Sequence, residues 1–311
     1  MGDFNLISHY IIFIFFNFNI MLRTTGVIMK EIFKDLILAP HYARTPIYAT
    51  QMGSIAYGVS TEHSDIDIYA FCIPPKKIIF PHLDGVIKGF GNQGEKFDQY
   101  QIHDFQDKYD INIYSIIKYF ALLMMNNPNV IDSIFTPQHC VIICSHIGQV
   151  LRDKRKLFLH KGAFHKFSGY AHKQITNLKS KKYEGKRLEV VKKYGWDVKS
   201  QYHTVRLLDE LEQILETGDI VLGRNAEYLK SIRAGQVSME ETFEYFDKKK
   251  KYLDELYETS KIPYSPDETI IKKLLLNCLE HHYGSLDKTD IVVNESRLLD
   301  ELKILISKYD L

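Results

Sequence analysis

Asp65 and Asp67 stand at the head of a stretch, Ile66 to Ile73, that otherwise carries only apolar and aromatic side chains and stops at Pro74-Pro75. Such a run, closed by two prolines, predicts a β-strand. In a strand, residues two apart project from the same face. The two carboxylates therefore converge at one end of a strand whose remainder is buried, and charge placed there is costly unless it is paired or used. A second apolar run, Pro46 to Met52, ends at Gly53-Ser54, and a gap of ten residues separates Ser54 from Asp65. Alone, an Asp-x-Asp is a common surface feature and a Gly-Ser is a common turn. Together they require a sheet with an acidic end beside a small-residue bend.

The residue types in this pattern suit one chemistry. Two carboxylates held this closely repel each other unless a cation lies between them. Hard oxygen ligands favour Mg²⁺, which is usually held by one or two carboxylates together with substrate phosphates. Gly53 lets the backbone approach a ligand closely. Ser54 offers a hydroxyl and a backbone N–H near the start of the next turn, where anions are favoured. These parts would hold a nucleoside triphosphate and its metal. A third carboxylate would complete a two-metal site. Asp110 is the candidate, because it begins the alternating strand Asp110-Ile-Asn-Ile-Tyr114; Asp104 and Asp107 are the nearby competitors. Two Mg²⁺ ions are expected, with Mn²⁺ as the alternative.

The chain has 311 residues, 45% hydrophobic and 25% charged, which excludes a disordered protein and accommodates two domains. Cys72, Cys140, Cys144 and Cys278 are too few and scattered for a disulfide scaffold. A reducing compartment, the cytoplasm of a cell or of a viral host, is the expected location. His139, Cys140, Cys144 and His146 crowd together but lack a C-x-x-C pair, and Cys140 to Cys144 reads as a buried strand rather than a zinc site. Leu6 to Leu22 is apolar but short for a membrane span and interrupted by Ser8, His9, Asn17 and Asn19. Residues 1–28 are read as a peripheral extension, with Met21 and Met29 as alternative starts and a membrane anchor as the lesser alternative. No stable membrane association is expected.

Further along, residues 29–38 suggest a short helix, and 82–106, with Gly85, Gly89, Gly91 and Gly94, a long mobile loop. Ser115 to Asn126 reads as a helix stopped at Asn127-Pro128, with Ile131 to Phe135 and Val141 to Cys144 as short buried segments. After residue 147 the character turns helical: Ala163 to Ser180, Ser200 to Glu216, a helix opened by the capping box Ser238 to Glu241, and one opened by Ser265-Pro-Asp-Glu268. The expected architecture is a mixed α/β (α+β) domain, residues 29–147, followed by an all-helical domain, residues 148–311. From Arg152 to Arg206 there are 16 Lys or Arg against 4 Asp or Glu, and from Leu207 to Leu311 there are 14 against 22. A basic middle of this kind is either a phosphate-facing surface or a set of solvated helix faces. Lys199, His203 and Arg206, at i, i+4 and i+7, share one helix face and form a candidate clamp for a triphosphate or an RNA backbone. The alternative is a solvent-facing basic stripe with a structural histidine. Tyr170 and Gln174 are candidates for the same cleft, and Arg233 reads equally as a helix-end contact.

The Gly-Ser…Asp-x-Asp arrangement resembles the signature of the DNA polymerase beta nucleotidyltransferase superfamily. Gly53-Ser-Ile-Ala-Tyr-Gly58, Asp110-Ile-Asn-Ile-Tyr-Ser-Ile-Ile-Lys118, Asn127-Pro-Asn129, the block from Trp196 to Leu208 and the block from Ile232 to Glu241 are similar to predicted nucleotidyltransferases named for RNA-repair gene neighbourhoods, found in bacteria and large phages. The resemblance implies a central mixed sheet, metal-binding carboxylates at Asp65, Asp67 and Asp110, and nucleotide contacts from Gly53, Ser54, Lys199, His203 and Arg206. It implies Mg²⁺-dependent transfer of a nucleoside monophosphate from a triphosphate such as ATP to a hydroxyl acceptor, with an RNA end as the suggested acceptor. A protein acceptor, of toxin or stress type, is the lesser alternative. An inactive nucleotide- or RNA-binding module is the rival from another class. A kinase-like ATPase is disfavoured, because the chain has no Gly-x-x-x-x-Gly-Lys-Ser/Thr loop.

Overall fold

The computed structural model describes residues 30–61, 64–180, 186–284 and 286. The proposed extension, residues 1–28, lies outside them. Five strands form one mixed sheet: β1 (Tyr48–Gln51), β2 (Ile66–Cys72), β3 (Gln99–Phe105), β4 (Tyr109–Ser115) and β5 (Val141–Cys144), in the spatial order β3-β4-β2-β1-β5. The β2–β4 pair is parallel and the other three pairs are antiparallel.

The alternation of side chains along these strands gives the sheet two apolar faces. On one, Ala49, Ile68, Ala70, Ile111 and Ile113 pack against Phe33, Leu36 and Ala43 from the chain before β1. On the other, Tyr48, Phe71 and Tyr114 enter a larger core that continues through the helices to Leu279. The register pairs Tyr69 with Asn112 and Phe71 with Tyr114, so Asp67 and Asp110, two residues before them on each strand, face the helical side.

Among the described residues, the helices of eight residues or more are α1 (Ile116–Met124), α2 (Pro128–Phe135), α3 (His146–Asp153), α4 (Ala163–Ser180), α5 (Lys186–Tyr194), α6 (Val198–Thr217), α7 (Ala226–Arg233), α8 (Met239–Thr259) and α9 (Glu268–Tyr283). Their starts are written in local chemistry. The side chains of Ser115, Asn127, Ser145 and Asp197 each accept a backbone N–H of the first turn, and Ser238 and Glu241 form the expected capping box. α6 ends at Gly218 in the left-handed conformation (φ 62°). It is the central helix, with Val205, Leu207, Leu211 and Ile214 fully buried, and α4 and α8 pack beside it.

Four expectations change. Residues 82–106 are not one loop, because β3 occupies Gln99–Phe105 and pairs with β4. It is an edge strand whose residues Gln99 to His103 alternate polar and apolar, a period overshadowed in the sequence by the glycines before it. Ile131 to Phe135 belongs to helix α2, whose first residue, Pro128, starts a helix rather than only ending the previous one. Of residues 30–38 only Lys30 and Glu31 are helical, and turns closed by i→i+3 hydrogen bonds carry the chain on to Pro40. The last helix begins at Glu268 with Asp267 as its cap, so Ser265 and Pro266 precede it. The helix α5 was not anticipated.

Candidate active site

Parallel pairing of β2 with β4 places Asp67 directly beside Asp110. Asp65 lies just before β2, two residues ahead of Asp67, and is more exposed. The Met52 N–H donates to the Asp67 carbonyl (2.7 Å), which fixes the end of β1 against β2. The chain then turns at Gly53, in the left-handed conformation (φ 67°), and a Cβ there would collide with the Asp67 carboxylate. Only glycine allows the bend and the carboxylate to come this close. The turn is closed by Ala56 and Tyr57 N–H groups on the Gly53 carbonyl and by Val59 N–H on the Ser54 carbonyl.

These residues form the floor of a cavity of about 550 Å³. Gly53, Ser54, Asp65, Asp67 and Asp110 line one side, Lys199, Tyr202 and His203 of α6 the other, and Val190, Lys193 and Tyr194 of α5 with Arg233 of α7 the rim. A smaller lobe of about 180 Å³ shares Gly53, Tyr57, Asp67, Lys199 and His203 and extends to Met52, Tyr69, Asn129, Tyr170 and Arg206. The sheet and the helical half thus meet around Asp67.

Burial raises the Asp67 carboxyl to about 6; Lys199 opposes the rise, and the neighbouring Asp110 and Asp65 add to it. An acid held near neutrality by burial and by two other acids is a position where a cation relieves strain. Asp110 accepts the Asp104 backbone N–H on Oδ1 (3.0 Å) and lies 3.4 Å from His103 Nδ1. Asp104, at a register shift near the end of β3, and Gln106 and Asp107 in the β3–β4 turn all have positive φ (49°, 53° and 55°). Asp110, rather than Asp104 or Asp107, reaches the cavity. Among the described residues, no three His, Cys, Asp or Glu side chains close on one another as a finished metal cage. The donor set is an open one of carboxylates only, of the kind that phosphate oxygens and water complete around Mg²⁺. The residues fit that ion.

His203 is pushed well below the ordinary histidine range by burial and by the surrounding cations Arg206, Lys199, Arg187 and Arg233, and its Nδ1 is buried without a partner. It is a neutral imidazole at the wall of the cavity. Lys199 is exposed at the cavity wall.

Arg206 has a different position from the other two members of the predicted clamp. It is 3% exposed, and Nη1 donates to Asp132 (2.6 Å), Glu210 (2.9 Å) and the Tyr57 hydroxyl (2.8 Å). Its guanidinium stacks over the Tyr57 ring at 4.3 Å, and the Tyr57 hydroxyl donates to Asp132 (2.7 Å). Burial pushes Glu210 well above the usual carboxylate range, and Asp132 is raised for the same reason. Tyr57 belongs to the Gly-Ser turn, Asp132 to α2, and Arg206 and Glu210 to α6. This buried group fastens the turn to the helices from below the cavity.

Arg233 donates to the Val59 carbonyl (2.8 Å) and lies over the Tyr202 ring, a second tie between the turn and the helical half. Tyr170 lines the smaller lobe; Gln174 is buried behind it and lines neither cavity. Sequence reasoning missed Tyr57, Asp132, Lys193, Tyr194 and Tyr202. The signal for Tyr57 was an aromatic residue four positions after Gly53, and for Asp132 a carboxylate within the apolar segment Ile131 to Phe135.

The chain is similar to known proteins in two respects. The crystal structure of a nucleotidyltransferase-like protein from Exiguobacterium sibiricum 255-15 matches at 13% identity, covering 90% of this chain and 89% of that one with a TM-score of 0.26. No protein of curated function matches. The model of the RNA repair pathway DNA polymerase beta family (RlaP) matches residues 37–303, which include both strands of the acidic site and the helices that cover it. This chain therefore belongs to the RNA repair pathway DNA polymerase beta family.

Proposed function

We propose that the protein transfers a nucleoside monophosphate from a nucleoside triphosphate to a hydroxyl group, with release of pyrophosphate. The observation that carries this reading is the side-by-side placement of Asp67 and Asp110 on parallel strands, in the cavity that Gly53, Ser54 and Lys199 also line. Asp65 and Asp67 would hold Mg²⁺, or Mn²⁺ in its place, and Asp67 would share a second ion with Asp110. Bound there, the metal neutralises phosphate charge and lowers the pKa of the attacking hydroxyl.

The chain's own groups do the rest by positioning and charge. Ser54 offers its hydroxyl and backbone N–H to the outer phosphates, and Lys199 adds a positive charge from the opposite wall. Neutral His203 contributes a hydrogen bond rather than a charge. The Asp104 amide holds Oδ1 of Asp110, which leaves Oδ2 for the acceptor hydroxyl. Arg206 does not need to touch the phosphates, because its role is to keep the Gly-Ser turn in place through Tyr57.

An RNA end is the acceptor that the surface favours. Lys192 and Lys193 of α5 are exposed, and Lys193 stands at the cavity rim. A basic rim beside an anion site suits a nucleic-acid backbone. The test is to supply RNA and protein fractions with a nucleoside triphosphate labelled at the α-phosphate and, separately, at the γ-phosphate. The reading predicts Mg²⁺-dependent label on RNA from the α position only. Label from the γ position would identify phosphoryl transfer and overturn it, and α label on protein alone would replace the acceptor.

A further inference from the structure

The smaller lobe shares Gly53, Asp67, Lys199 and His203 with the chemistry described so far, and the rest of its lining has not been given a task. It opens from the carboxylate site at Gly53 and Asp67, and its walls are Met52, Tyr69 and Tyr170 with the side chain of Asn129. At about 180 Å³ it is below the usual range for a complete ligand. It has room for one flat ring system but not for a whole nucleotide. Two polar side chains that reach this lobe lack partners among the described residues. The Asn129 amide and the Tyr170 hydroxyl, both half-buried, make no hydrogen bond. A concave site with aromatic walls and free polar side chains at its lining suits a flat polar ligand.

We infer that this lobe is a nucleobase subsite, in which the Asn129 amide and the Tyr170 hydroxyl read the edge of the base. The inference rests on the nucleotidyl-transfer reading and adds a substrate-selecting site to it. The apolar and aromatic walls cover the faces of a planar ring. A side-chain amide presents a donor and an acceptor side by side, which matches the paired donor and acceptor on a base edge. The phosphates then run from Asp67 into the large lobe, past Ser54 and Lys199, and the base lies on the other side of Gly53. This division also accounts for Asn127 and Asn129 having separate tasks. Asn127 caps α2 through its side chain, whereas the Asn129 side chain is left free for the lobe.

The experiment measures binding of the full chain to the α,β-methylene analogues of the four nucleoside triphosphates and to inorganic tripolyphosphate, with Mg²⁺ present. The variants are Asn129→Ala, Asn129→Asp and Tyr170→Phe. Residue 129 lies in the first turn of α2, where aspartate is favoured, so Asn129→Asp keeps the helix. The inference predicts that the wild type binds at least one nucleotide more tightly than tripolyphosphate. Asn129→Ala weakens the preferred nucleotide by roughly tenfold and leaves tripolyphosphate unchanged. Asn129→Asp, an acceptor without a donor, reorders the four nucleotides. If the variants at Asn129 and Tyr170 leave nucleotide binding at wild-type strength, or weaken nucleotide and tripolyphosphate alike, the nucleobase subsite is overturned while transfer stands. If the wild type binds neither nucleotide nor tripolyphosphate, both readings fall.

Discussion

Asp67 and Asp110 are register partners on adjacent parallel strands, and the carboxyl of Asp67 is raised to about 6 by its burial between the sheet and α6. A raised carboxyl has a definite sign in folding. The native state retains a proton on Asp67 that the unfolded chain has already lost, so in the metal-free protein stability falls as pH rises from about 4 to about 6. Thermal melts in chelator across that window are expected to show the decline. Asp67→Asn is expected to remove this contribution and to melt higher than wild type at pH 7.5. Mg²⁺ should reverse the trend for wild type only, since it binds the ionised form. A variant that melts lower than wild type in chelator would mean that the Asp67 charge is already satisfied within the fold.

The bend at Gly53 gives a second expectation. Alanine there takes on a left-handed backbone, costing about 1–2 kcal/mol, and its Cβ collides with the Asp67 carboxylate. Gly53→Ala should therefore lower transfer by roughly a hundredfold, because small displacements of aligned groups are expensive. The measurement is kcat alongside a melt, and the loss of rate should greatly exceed what the modest loss of stability explains.

Arg206 and Lys199 are seven positions apart on one helix and should fail in different ways. Arg206→Ala leaves Asp132 and Glu210 buried without their cation, and should destabilise the fold by about 3–5 kcal/mol. Lys199→Ala, on an exposed wall, should change stability by less than about 0.5 kcal/mol and raise KM for the triphosphate. Denaturant titration and steady-state kinetics of the two variants separate the roles. Equal stability with equal losses of nucleotide affinity would place Arg206 in direct contact with substrate.

The α5 rim bears on acceptor binding. Replacing Lys192 and Lys193 together by Ala should weaken RNA binding and reduce the dependence of log K on log salt by roughly 1–1.5. Affinity for the free triphosphate should change less. Fluorescence anisotropy over a salt series measures both, and an unchanged slope would remove the rim from the acceptor path.

The strands that carry Asp67 and Asp110, with Asp65 just ahead of the first, were legible because apolar runs with charged interruptions are local signals. The capping box at Ser238 and the Gly-Ser bend were legible for the same reason. The position of Arg206 was not. Equal spacing on a helix puts Lys199, His203 and Arg206 on one face, but seven residues also advance about 10 Å along the axis, which carries that face from the cavity wall to the core. Its partner Asp132 is 74 positions away in the chain, and no local pattern announces such a pairing. Strand β3 carries an alternating signal, Gln99 to His103, that the glycines before it overshadow, and the smaller lobe was hidden because it is assembled from the turn after β1 and from β2, α2, α4 and α6.

The most direct test of the acidic site is the rate at which α-labelled nucleoside monophosphate is incorporated by wild type and by the Asp65→Asn, Asp67→Asn double variant, with folding checked by circular dichroism. The structure predicts a folded variant, at least as thermally stable as wild type in chelator at pH 7.5, whose Mg²⁺-dependent incorporation falls by roughly a thousandfold or more. Incorporation at the wild-type rate by that folded variant would contradict the assignment of the site.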